Sequence, residues 1–152
     1  MFPFSIEGAI AVRPNEVDAV LDRMKLAVRN VQAKSIERKK DTLIFRGGLF
    51  RWGVNNWNIL GPVDECSIIA ETGKLRFICS TRQLFAHCLG AAAIFWLFIR
   101  IKMDGRASME MQIIVPLVAW VWLFGMNYLI SSWRLPRFFR KAASEACGRV
   151  ND

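Results

Sequence analysis

The sequence predicts a small cytoplasmic α+β domain (strand, helix, antiparallel meander) followed by a two-helix transmembrane hairpin and a basic amphipathic tail. Three observations carry that expectation. Two apolar runs, QLFAHCLGAAAIFWLFIRIK and IIVPLVAWVWLFGMNYLISSW, flank the short bridge MDGRASMEMQ, and each matches the roughly 20 helical residues that cross a hydrocarbon core. No residue between Leu84 and Ile99, or between Ile113 and Trp133, carries a fixed charge, whereas a helix packed on a soluble core keeps a charged face. The third observation is where the remaining cations fall. Lys74, Arg76 and Arg82 precede the first run and Arg134, Arg137, Arg140, Lys141 and Arg149 follow the second, against Arg100, Lys102 and Arg106 around the bridge. That bias predicts both termini on the cytoplasmic side.

The expected division is a domain over 1–82, a hairpin over 83–133 with spans at about 84–101 and 112–133, and a tail over 134–152. Such a domain is large enough for one small core. The start, MFPFSIEGAIAVRPNE, shows neither a basic n-region nor an apolar stretch of signal length before Arg13, so export by a cleaved signal is not expected. The net charge of +8 would point to nucleic acid in a soluble chain. Here membrane flanks absorb the basic residues, and no nucleic-acid partner is expected.

Within the domain, Phe4, Ile6, Ile10 and Val12 alternate with Ser5, Glu7, Ala9 and Ala11, interrupted only by Gly8. Period two predicts a half-buried strand, which Pro14 stops. Val17, Val20, Leu21, Met24, Ala27, Val28 and Val31 then fall on one helical stripe, an amphipathic helix that packs on a sheet. The stretch AKSIERKKDTLIFRGG predicts a hairpin turning near Lys40, ended by Gly47 and Gly48. Its basic run, Arg38 to Lys40, reads more simply as a solvated tip than as a phosphate site.

A second hairpin turns at Thr72 and Gly73. If opposed positions sum to 145, Ala70 faces Leu75, Ile68 faces Phe77 and Cys66 faces Cys79, and one face is wholly apolar. The TGK string here is not a phosphate loop, because Ile68 and Leu75 stand where that loop needs Gly and Ser or Thr. Between the hairpins, GLFRWGVNNWNILGPVD carries Trp52 and Trp57, which either fill the core or face an interface or partner.

Chemistry is sparse. The single histidine, His87, lies in the first span, and no nucleophile-elbow, zinc-protease or dinucleotide string occurs. Cys66, Cys79, Cys88 and Cys147 show no Cys-x-x-Cys spacing, so no metal is indicated, and in a reducing cytoplasm Cys66 and Cys79 are expected as small apolar groups. Asp64 and Glu65 are neighbours on a strand and point to opposite faces. The sequence therefore predicts no enzyme and no cofactor.

In the spans, Ala86, Gly90 and Ala93 form a small-residue stripe for close helix packing, and Trp120, Phe124, Asn127 and Ser131 share a face. Pro116 is a candidate kink. His87 and Asn127 are expected at matching depths, either as a polar contact fixing the hairpin's register or separately, with His87 reaching the headgroup region and Asn127 bonding a backbone carbonyl. In RLPRFFRKAASEACG, Pro136 is expected to open a short helix whose Phe138, Phe139 and Ala142 dip into the interface, with Arg134, Arg137, Arg140 and Lys141 on anionic headgroups and Gly148 at its end. The function this describes is a non-enzymatic accessory or assembly subunit of a bacterial inner membrane. Its partners would be membrane lipids and other membrane subunits or copies of itself. The competing readings are a membrane-tethered sensor or anionic-lipid module, built from the basic tip, the Trp-rich loop and the tail, and a small homo-oligomeric channel.

Overall fold

The computed structural model describes residues 4–47, 59–103 and 108–148. β1 (Ser5–Ala11) passes through a 3-10 turn (Pro14–Glu16) into α1 (Val17–Asn30). There follow β2 (Ser35–Lys39), β3 (Thr42–Arg46), β4 (Glu65–Glu71), β5 (Lys74–Ser80), α2 (Arg82–Met103) and α3 (Met109–Ala146). The strands form one antiparallel sheet in the order β1-β5-β4-β3-β2. The chain is thus an α+β domain joined to a long helical hairpin.

The meander follows its turn chemistry. Lys39 pairs with Thr42 across the Lys40-Asp41 turn. Around Thr72 and Gly73 the partners are Glu71 with Lys74, Ala70 with Leu75, Ile68 with Phe77 and Cys66 with Cys79, the register that one-sided burial requires. Gly73 takes φ +75°, which glycine adopts without steric cost. The inner sheet face gathers Ile6, Ile10, Leu43, Phe45, Cys66, Ile68, Leu75, Phe77 and Cys79, and α1 lays Val20, Leu21, Met24 and Val28 on it. Gly8, the break in the first strand's alternation, lies opposite Phe77. A Cβ there would overlap the Phe77 ring, so glycine is what lets the ring cross to β1.

Two expectations are corrected. Cys66 and Cys79 are a disulfide, not separate small groups, with Cα atoms 3.9 Å apart. The register sets them directly opposite and both are fully buried, so the two sulfurs occupy one site.

The tail is the second correction. α3 runs unbroken for 38 residues with Pro116 and Pro136 inside it. Leu135, Phe139, Ala142 and Ala143 are buried in the sheet's core rather than at a lipid interface. Phe139 lies 6.1 Å from Phe45 and 5.0 Å from Phe77, centroid to centroid, and Phe138 is half-buried beside it. An interior proline costs about 3 kcal/mol. Burying Leu135 and Phe139 contributes about 1.5–3 kcal/mol each, so packing carries the helix through Pro136. Arg23 of α1 bonds Glu145 at 2.6 Å and the Cys147 thiol donates to Glu16 at 3.3 Å, tying α3 to α1. Gly148, at φ +64°, follows the helix end as its sequence predicts.

Candidate functional site

α2 starts directly where β5 stops. The Thr81 amide donates to the Phe4 carbonyl at 2.8 Å, and the Thr81 side chain is fully buried. The Asp64 carboxylate accepts from the Gln83 amide at 2.9 Å and from the Ser80 hydroxyl at 3.2 Å, satisfying one of the orphan donors of the first turn. The Tyr128 hydroxyl donates to the Ser5 carbonyl at 3.0 Å, fixing α3 against the start of β1. Sheet and hairpin are therefore joined twice, once through the β5–α2 junction and once through α3, with no flexible linker at either.

The two long helices pack along a seam of Leu84, Cys88 and Phe124. An aromatic chain reinforces it: Phe4 on Phe85 at 5.1 Å, Phe85 on Trp120 at 5.3 Å and on Phe124 at 5.4 Å, and Trp120 stacked on Phe124 at 5.7 Å. Of the expected face on α3, Trp120 and Phe124 meet α2, Ser131 is buried with its hydroxyl on the Asn127 carbonyl at 2.6 Å, and Asn127 stays exposed. Pro116 is buried within the continuous helix.

Both helices are long and apolar enough to cross a membrane, and only 17% and 11% of their most apolar windows are buried within the chain. Ile94 is 71% exposed, Ile101 69% and Trp122 67%. Core helices of a soluble protein do not present such a surface to water. Two shallow grooves run along it. One, of about 450 Å³, is lined by Phe85, Leu89, Ala93, Trp96, Pro116 and Trp120. The other, of about 570 Å³, is lined by Ala86, His87, Gly90, Ile94, Leu123 and Asn127.

The second groove brings together the two polar residues singled out from the sequence. His87 Nδ1 donates to the Gln83 carbonyl. The Asn127 amide donates to the Leu123 carbonyl at 2.7 Å. Each group thus bonds its own helix four residues back while sharing one groove wall. Ala86, Gly90 and Ala93 are exposed and take no part in the hairpin's seam. A neighbouring helix could approach them closely.

The sheet's ends settle where the charged features lie. Ser5 with Ser80 and Arg46 with Glu65 mark the end at which α2 begins; Ala11 with Lys74 and Lys39 with Thr42 mark the other. The Lys40 tip is therefore on the far end, roughly 13 Å away along the five-residue strand β3 at about 3.3 Å per residue. Its charges are also largely engaged. Arg38 reaches back to Asp18 at 2.8 Å and Asp22 at 3.9 Å, and Lys39 meets Glu37 at 3.3 Å. Trp52 and Trp57 lie outside the described residues. Arg134, Arg137, Arg140 and Lys141 stand on α3 beside or beyond Trp133.

The Asp64 clasp had no signal in the sequence, because its partner Gln83 is distant in the chain and sits on a different element. No protein-family model, curated protein or solved structure matches the chain.

Proposed function

We propose that the protein is a non-enzymatic accessory or assembly subunit of a membrane, in which the hairpin crosses the bilayer and packs on partner helices. The sheet domain would sit at the cytoplasmic face of a bacterial inner membrane with both termini inside. The observation that carries this reading is the double junction. A partner held by the hairpin is held in a fixed position relative to the sheet domain, since α3 forms both the second span and part of the domain's core. The exposed Ala86 and Gly90, which line the His87–Asn127 groove, supply the packing face, and the exposed Ala93 lies in the wall of the other groove.

The sensor reading is the less favoured, because its basic Lys40 tip lies at the end of the sheet opposite the start of α2. Purification of the full chain in mild detergent tests the proposal. Proteins recovered at fixed stoichiometry, and lost when Gly90 is replaced by Leu, support it; a single species that ignores Gly90→Leu overturns it.

A further inference from the structure

Along α3 the side turned away from the sheet changes character within three turns. Leu129 is 62% exposed, Ile130 41% and Trp133 60%, and Arg134, Arg137, Arg140 and Lys141 follow. The opposite side, Ser131, Leu135, Phe139 and Ala142, is buried. Arg137 folds back toward the start of α3, as helical side chains lean, and its guanidinium stacks over the Trp133 ring at 3.6 Å from the centroid. The charge of Arg137 is thereby brought down to the level of Trp133. Counted from Tyr128, which touches the sheet's first residue, that level is about 8 Å along the helix axis at 1.5 Å per residue. The polar headgroup layer of one leaflet is about 5–8 Å thick.

In the sheet domain Arg23, Arg38, Arg46 and Arg76 each meet a carboxylate. Among the described residues, no carboxylate pairs with Arg134, Arg137, Arg140 or Lys141. A guanidinium stacked on an aromatic face keeps its N–H edge for an oxyanion, and its planar fork matches phosphate. We infer that Trp133, Arg137 and Arg134 form a docking site for the phosphate of an anionic phospholipid, with Arg140 and Lys141 adding longer-range attraction. The indole takes the interfacial position and the two guanidiniums take the headgroup. This inference rests on the reading that the hairpin crosses a bilayer, and it confines lipid recognition to one face of α3, away from the Lys40 tip.

The test uses the full chain reconstituted in phosphatidylcholine vesicles with spin-labelled phosphatidylglycerol or phosphatidylcholine as competing probes. Wild type selects the anionic probe. Replacing both Arg134 and Arg137 by Gln lowers the selectivity by about fivefold for each charge removed. Arg137→Lys, which keeps the charge but loses the planar fork, recovers part of it, and replacing both Lys39 and Lys40 by Gln at the far end leaves it unchanged. Unaltered selectivity in the double arginine variant overturns the site, as does an equal loss in the double lysine variant. Loss of a co-purifying acidic protein with lipid selectivity retained would assign the face to that protein and overturns it too. Failure of the wild-type chain to float with vesicles sinks the membrane reading itself, whereas flotation without selectivity sinks only the lipid site.

Discussion

The ring of Phe139, near the end of α3, lies 5.0 Å from that of Phe77 on β5 and holds the second long helix in the core of the sheet domain. Phe139 is fully buried. The helix that makes the second apolar span is therefore also a structural helix of the domain, and a movement of one is a movement of the other.

Phe139→Ala should lower the stability of the sheet domain by about 3–5 kcal/mol, the usual cost of emptying a buried phenylalanine site. Denaturant unfolding in detergent micelles, followed by a probe confined to the sheet, measures it. A tail lying in lipid would give a change near zero, so the variant separates the two placements.

Gly8→Ala should also destabilise, by about 1–3 kcal/mol, as overpacking does in a filled core. The added Cβ meets the Phe77 ring, which is also held against the Phe139 ring 5.0 Å away, centroid to centroid. Pairing Gly8→Ala with Phe77→Leu should recover part of the loss. Failure of Phe77→Leu to relieve the strain would place the cost elsewhere in β1.

These residues also show what could be read in the sequence. The Thr72–Gly73 register was legible because a slip by one would turn Ile68, Leu75 and Phe77 to the solvent side. The long hairpin was legible because charge is absent over two spans of membrane length. The destination of Phe139 was not. The segment RLPRFFRKAASEACG has one apolar side whether that side meets lipid or a sheet, and Pro136 imitates a helix start. Asp64 was equally silent, since a cap supplied from the bend before β4 leaves no local pattern at the start of α2. The Cys66–Cys79 pairing was legible as a register, but the bond also depends on the redox state of the compartment.

Orientation and that bond can be read in one experiment. With both termini in the cytoplasm, Ser108→Cys should react with an impermeant reagent from outside. The Cys66–Cys79 bond, fully buried in the sheet's core, should be recovered oxidised from cells lysed under acid trapping, because burial keeps reductants from it. Protection of position 108 in intact cells would reverse the orientation, and recovery of Cys66 and Cys79 as free thiols would show that the core leaves the bond open to the reductants of that compartment.

The last prediction concerns the groove shared by His87 and Asn127. Each donates to a carbonyl four residues earlier in its own helix, so neither is needed to hold the other's donor. If a partner helix occupies the groove as proposed, the two groups act on the same occupant, and their contributions to assembly should be coupled. Hydrogen bonds inside bilayers average only about 0.6 kcal/mol in measured cycles, so folding of the hairpin should barely change. The measurement is a double-mutant cycle of His87→Leu and Asn127→Leu, scored by recovery of the intact assembly at several protein-to-lipid ratios. Coupling above about 0.5 kcal/mol, the limit of additivity for independent sites, is the expected result. Strict additivity would show that the two residues serve only their own helices, and the groove would lose its polar anchor.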